Sequence, residues 1–591
     1  MSIYHLSSLV RQNRKSIVYG ALCLLVVDVL LFAFPFLVKL SIDHLKGEAL
    51  PAWLPEAVKN LSAPAFLILM GGIYAILAGI VAYGRFWWRV FFIWSSFPLL
   101  HQYRMNFFRH LHSMSLEYFK KEKVGDLLSA LTTDSENLRM ALAIGGFMVV
   151  DTIIYFILYP IVLWTIHPGL TLAVIPVLAL SSFLALLWSD RLSGAYENVQ
   201  HVTGRLSARA YEIFSGVRVI KSFRGEQAVH SDFLAESRVL RDESIKVLKF
   251  QSYFVPGLNL ILGSAIVVVL IWGGLDVIAG TLALSSLVAY QLYLSQLEWP
   301  MLAMGWFIQL YRSAKASEQR VLAHAHQAPG ITKSNSPQVN WQSGECVLEV
   351  RELRYRPQDE DKDLLVVPSL KLKRGERVGI TGPVGAGKTL LLELLSRQRD
   401  PSNGDILHDG TNLKAIAPEE VASRVLYVPQ ETFLFSKSLR NNLCLGLKRQ
   451  PSDSELLGIL KDLCFDLSLI ESRGGLDVVL GERGLNFSGG QKQRLSIARA
   501  LLREADVYLF DDLFSHVDQQ TESLLLKALK QRLPSASLVL LVSQRLDTLA
   551  SCDRLLVIES GKIGFDGSLA QGIQNNSFLM RLQSLQGSRA A

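Results

Sequence analysis

Cysteine is scarce in this 591-residue chain: there are five, Cys23, Cys346, Cys444, Cys464 and Cys552, with no CxxC and no metal-type clustering. Neither a disulfide framework nor a thiolate metal site is expected, and the thiols read as free ones in a mostly reducing setting. Charge is sparse too. Asp, Glu, Lys and Arg make up 19% of the residues against 50% hydrophobic ones, which is apolar for a soluble protein and suits a chain partly embedded in a membrane. The net charge of +7 is small for this length. It fits basic loops beside anionic lipid as easily as nucleic acid; it is the six apolar runs described next that leave no nucleic-acid partner expected. A signal cleavage site is also lacking. Arg11, Arg14 and Lys15 precede an apolar run that continues to about Leu40 with no small-residue site, so a first spanning helix is expected there.

A chain of this length exceeds one core, and its two halves differ in pattern. Residues 1–315 carry six apolar runs, at 16–41, 64–94, 141–166, 169–189, 250–274 and 284–312. Each supplies the roughly 20 apolar residues that a helix needs to cross the hydrocarbon core. The third and fourth runs are parted only by His167-Pro168-Gly169, which demands a helical hairpin. Loop charge sets the orientation. Segment 190–249 holds ten Lys and Arg residues, whereas 167–169 and 275–283 hold none. The positive-inside rule therefore places 95–140, 190–249 and both termini in the cytoplasm. Residues 316–344 are polar and rich in breakers and read as a linker; 345–591 form the second domain.

That second domain contains Gly382-Pro383-Val384-Gly385-Ala386-Gly387-Lys388-Thr389, between a strand-like run and a leucine-rich helix. The pattern is GxxxxGK[ST]. Its backbone N–H groups wrap phosphate, its lysine reaches the β- and γ-phosphates, and its threonine ligates Mg²⁺. Val507-Tyr508-Leu509-Phe510-Asp511 reads as a buried strand ending in a carboxylate, placed to support the same cation. ATP and Mg²⁺ are the cofactors these residues call for.

Phe487-Ser488-Gly489-Gly490-Gln491 resembles the signature of the ABC ATPases. With the phosphate loop and Asp511 it identifies residues 345–580 as similar to that family. Other positions match the family pattern residue by residue. Tyr355 resembles the aromatic that stacks on adenine, and Gln430 the lid glutamine that senses Mg²⁺ and water. Gly481-Glu482-Arg483-Gly484 resembles an exporter-specific segment, and Ser515 to Asp518 the D-loop. In the first half, Gly125–Asp134 and Ser215–Lys221 look like the cytoplasmic elbows of ABC exporters, with coupling helices expected near 133–140 and 211–219. The implied architecture is multi-domain: an all-α membrane domain of six helices followed by an α/β P-loop ATPase domain. The resemblance also implies a second half-transporter as partner, because the signature of one chain, here Ser488, Gly489, Gly490 and Gln491, closes on the ATP held by the other. The site belongs in a cell inner membrane.

Two positions depart from the family. It normally has glutamate after the strand-end aspartate, where this chain has Asp512, and histidine where this chain has Gln544. One methylene of lost reach is roughly 1.5 Å, and a displacement of about 1 Å can cost on the order of a hundredfold in a positioned reaction. Glutamine keeps a donor but cannot carry charge. The expectation is a site that binds ATP and hydrolyses it slowly, within an unequal pair. Leu297–Trp306 further resembles MdlA-like multidrug exporter subunits, which implies small amphipathic cargo. Glu298, mid-span, reads either as a cation-attracting group of the pathway or as a paired structural carboxylate. A lipid flippase would use the same machinery. An ATP-gated channel should show rings of intramembrane charge, and few ionisable residues stand out in the spans.

Overall fold

The structure is a computed structural model describing residues 4–328, 330–331, 346–357, 361–472, 474–481 and 487–587. It divides into two compact units, one of Met1–His112 with Lys123–Gln327, the other of Ser113–Glu122 with Ala328–Ala591.

The first unit is helical throughout. Among the described residues, four helical stretches are long and apolar enough to span a bilayer: Arg14–Lys46, Ala63–His112, Val124–Ile166 and Asn259–Ile278. The fourth expected span opens the 48-residue helix Pro168–Ser215, of which Pro168–Leu180 is the apolar piece. The sixth is split into Leu284–Gln296 and Glu298–Ala325, with Leu297 between them. Pro300 falls in the first turn of the second piece, where its missing N–H breaks no helical bond. The expected hairpin is present. Helix Gly146–Ile166 stops at His167, whose extended backbone starts the next helix and whose Nδ1 accepts the Leu170 N–H at 3.0 Å.

Two expectations are corrected. Polar composition put the end of the membrane domain at 315 and a linker at 316–344, yet the last helix runs to Ala325. The reason is a buried stripe at helical spacing, Ala314, Ser317, Val321 and Ala325. Arg320 on this stretch pairs with buried Asp134. Residues 332–345 lie outside the described residues. The first turn is also not near 133–140, which is interior to the run Val124–Ile166. It lies at Ser113–Lys123, where Ser115 caps the short helix Leu116–Lys121. The second turn is close to expectation: Gly216 ends one helix and Val217–Ser222 follows.

The second unit is built on a ten-stranded sheet: β1 Cys346–Tyr355, β2 Leu365–Lys373, β3 Arg377–Thr381, β4 Asn403–His408, β5 Thr411–Asn412, β6 Val425–Val428, β7 Val507–Asp511, β8 Leu538–Val542, β9 Arg554–Glu559 and β10 Lys562–Gly567, in the order β5-β4-β1-β2-β10-β9-β3-β8-β7-β6. β9, β3, β8, β7 and β6 run parallel, and β1 pairs antiparallel with β2 and β4. β7 and β8 are buried at every position, as strands covered on both faces must be. Helix Lys388–Leu395 packs Leu391, Leu392, Leu394 and Leu395 into one apolar core, and a second core lies under helix Gly489–Leu501. The fold is therefore the expected one, a helical membrane domain followed by an α/β P-loop domain.

Candidate functional site

The parallel strands end together, and the loops that leave those ends make the site. β3 delivers the phosphate loop. At Gly382, φ is 145°, and a Cβ would sit 2.0 Å from the Ile558 carbonyl oxygen. Only glycine lets the chain turn there. Gly387, at φ 101°, starts helix Lys388–Leu395, so the helix N-terminus and the loop amides face one recess. The Lys388 Nζ donates to the carbonyls of Gly382 at 2.8 Å and Pro383 at 2.7 Å. Burial pulls its pKa down, opposed by the charges of Asp511 and Asp512.

β7 brings Asp511 to the same end. Its carboxylate accepts hydrogen bonds from the Thr389 hydroxyl and, at 3.3 Å, from the Tyr427 hydroxyl. Burial pushes its pKa up, and these two bonds counter that. A hydroxyl and a carboxylate within hydrogen-bond reach make an oxygen pair suited to a hard cation such as Mg²⁺. Asp512 follows at φ 47°, in the left-handed region that aspartate tolerates better than most residues. Its N–H donates to the Val542 carbonyl at 3.2 Å, and its carboxylate accepts from Gln430 Nε2 at 3.0 Å. Burial raises its pKa, while the Gln430 hydrogen bond and Lys388 lower it. Gln544, just past β8, is exposed, and its carbonyl accepts from Gln586 at 2.8 Å.

Tyr355 ends β1 and is buried. Its hydroxyl donates to Glu117, and the Arg399 guanidinium lies over its ring, 5.5 Å from the centroid. Arg399 also pairs with Glu117 and Glu393, and Lys120 pairs with Glu393 at 3.4 Å. A recess of about 360 Å³ is lined by Tyr355, Lys120 and Arg399 together with Gly385, Ala386, Gly387, Lys388 and Thr389. The pattern of the sequence did not single out Glu117, Lys120 or Arg399. The signal for the first two was the Ser115 cap just ahead of them.

The signature residues stand elsewhere. Ser488 caps helix Gly489–Leu501, accepting the Gln491 N–H at 3.3 Å while Gln491 Oε1 accepts the Ser488 N–H at 2.8 Å. A Cβ on Gly490 would approach the His516 carbonyl oxygen to 2.9 Å. Gln493 clamps that segment, donating to Ser515 Oγ at 2.8 Å and accepting the His516 N–H at 3.2 Å. A separate recess of about 670 Å³ is lined by Gln430, Gly489, Lys492, Gln493 and His516. The structure thus gathers Gly382 to Thr389, Asp511, Asp512 and Gln430, and the signature residue Gly489 borders a second recess that shares Gln430 with this group. Glu482, Arg483 and Gly484 lie outside the described residues.

The comparisons agree with this geometry. The ABC transporter transmembrane region matches residues 17–301, and the ABC transporter ATPase family matches 365–515. The multidrug resistance-like ATP-binding protein MdlA of Escherichia coli is 30% identical over 503 residues, covering 85% of this chain and 84% of its own. The probable multidrug resistance transporter YheI of Bacillus subtilis is 28% identical over 533 residues, covering 89% and 90%. The ATP-dependent lipid A-core flippase of Vibrio vulnificus is 28% identical over 495 residues, covering 83% and 84%. A solved bacterial Atm1-family ABC exporter with ATP bound superposes with a TM-score of 0.80 over 97% of this chain and 98% of its own, at 22% identity, a likeness of fold. A phosphate loop and a strand-end carboxylate pair on one sheet, fused behind spanning helices and aligned with MdlA over most of both chains, mean that this chain belongs to the ABC transporter family as a multi-pass, ATP-hydrolysing exporter of the MdlA-like type.

Proposed function

We propose that this chain is the slowly hydrolysing half of a heterodimeric exporter of small amphipathic compounds, set in a cell inner membrane with its ATPase domain and both termini in the cytoplasm. Lys388 and the loop amides of Gly382 to Thr389 hold the ATP phosphates, and Tyr355 flanks the base. Thr389 and Asp511 hold Mg²⁺, which when bound neutralises phosphate charge. Gln430 orders the water side of the site. Asp512 and Gln544 stand where the family places a longer carboxylate and a histidine. The observation that carries the reading is the position of Asp512: its short carboxylate is tied to Gln430 at 3.0 Å. A carboxylate held back in this way falls short of an attacking water, and reach of this order decides rate in a positioned reaction.

Cargo of the multidrug kind is favoured by the relatives named for multidrug resistance. Lipid cargo is the second reading, favoured by the flippase relative. Vesicles scored for labelled lipid against amphipathic dye separate the two.

The chain should be purified alone and with a co-expressed half-transporter that carries the family glutamate and histidine. Alone, it should bind Mg-ATP with little turnover, and Asp512→Glu should raise turnover by on the order of tenfold or more. Brisk hydrolysis by the chain alone, abolished by Lys388→Ala, would overturn the unequal pair.

A further inference from the structure

The membrane unit carries an open cavity of about 880 Å³. Five acidic or basic side chains line it: Asp28, Asp151, Glu298, Arg85 and Arg89. Charged groups at this depth are costly and are retained for a pathway or a partner. Asp28 and Asp151 come from the packed helices Arg14–Leu31 and Gly146–Ile166. They are 2% and 5% exposed, and Oδ2 of each has no hydrogen-bond partner among the described residues. A buried carboxylate oxygen without a donor is expensive unless a ligand supplies one. The Trp299 indole already donates to Asp151, and Arg85 lies within electrostatic reach of both aspartates. Three carboxyl groups and two guanidiniums share this lining. Trp88, Trp299 and Trp306 add aromatic wall, the surface that attracts organic cations.

We infer that Asp28 and Asp151 form the docking point for the ammonium group of a lipophilic monoamine, with its N–H donors satisfying the two orphan carboxylate oxygens and its apolar body against the tryptophans. A protonated secondary amine offers two N–H donors, one for each oxygen, whereas an alcohol of the same shape offers one and a quaternary ammonium none. The inference rests on the export reading for its meaning, since a site of this kind would load cargo.

The test is equilibrium dialysis on the full-length chain in nanodiscs without ATP, using three probes of one shape: N-methyl-1-naphthylmethylamine, its trimethylammonium analogue and 1-naphthylmethanol. A charge-assisted hydrogen bond corresponds to about a tenfold preference, so the secondary amine should bind about tenfold tighter than either analogue. Asp28→Asn and Asp151→Asn should each erase that preference. Arg85→Gln should raise amine affinity, a gain that a misfolded protein cannot give. Amine affinity unchanged in both Asn variants, or the alcohol binding as tightly as the amine, would overturn the inference. ATP binding is measured on the same samples. A chain that binds ATP without amine preference defeats this site and leaves the exporter reading standing. Loss of ATP binding in the unsubstituted chain defeats that reading and leaves the amine result intact.

Discussion

Gly382 leaves no choice of side chain. With φ at 145° and the Ile558 carbonyl oxygen 2.0 Å from where a Cβ would be, alanine must push β3 and β9 apart or turn the loop. Either costs on the order of 1–3 kcal/mol, and either misplaces the amides that take phosphate. Gly382→Ala should therefore lower Tm and also abolish the rise that ATP gives. Saturating ligand at a hundred times Kd stabilises by about 2.7 kcal/mol, and a thermal-shift titration reads its loss directly. Residue identities of this kind were legible in the sequence, because GxxxxGK[ST] encodes backbone geometry. The conformation of Asp512 was not. Its left-handed backbone and its bond to Gln430 arise from how β7, β8 and the lid loop meet, and spacing carries no trace of that. Asp28 and Asp151 are hidden differently: each stands in a long apolar run whose length, not its few charges, is the signal.

At the scale of elements, the sequence told most where a local signal and packing agree. The turn at His167-Pro168-Gly169 stands where its breakers placed it, with a side-chain cap that the residues did not announce. Two boundaries differ from expectation, one because tertiary contact overrode composition and one because of a local cap. The polar segment after 315 stays helical to Ala325, since Ser317 and Val321 are fully buried. The Ser115 cap starts a short helix ahead of the expected elbow. Caps carry measurable weight. Ser488 and Gln491 exchange two hydrogen bonds at the start of helix Gly489–Leu501, and loss of such a cap costs about 1 kcal/mol. Ser488→Ala should speed exchange of the Gln491 amide by about fivefold in hydrogen–deuterium exchange, while Ser488→Thr, which keeps the oxygen, should leave it near the original rate.

For the whole molecule, no described residue lines both the phosphate-loop recess and the signature recess, and Gln430 of the second is joined to the phosphate-loop group through its bond to Asp512. On the proposed reading, a single chain holds the first half of one ATP site and the second half of another. In an unequal pair the two halves carry different weight. In the pair proposed above, the Lys388 half would serve the site weakened by Asp512 and Gln544, and the Ser488 half the partner's stronger one. A cap and a phosphate contact can be separated at Ser488, because aspartate caps a helix as well as serine does but sets a carboxylate against the incoming γ-phosphate. In the purified pair, Ser488→Asp should keep the fold, with an unchanged Gln491 exchange rate, and abolish most ATP hydrolysis. Lys388→Ala should remove ATP from the slow site and leave most hydrolysis in place. Steady-state turnover of the two variant pairs checks this, and the reverse ranking would assign the competent site to this chain's own phosphate loop.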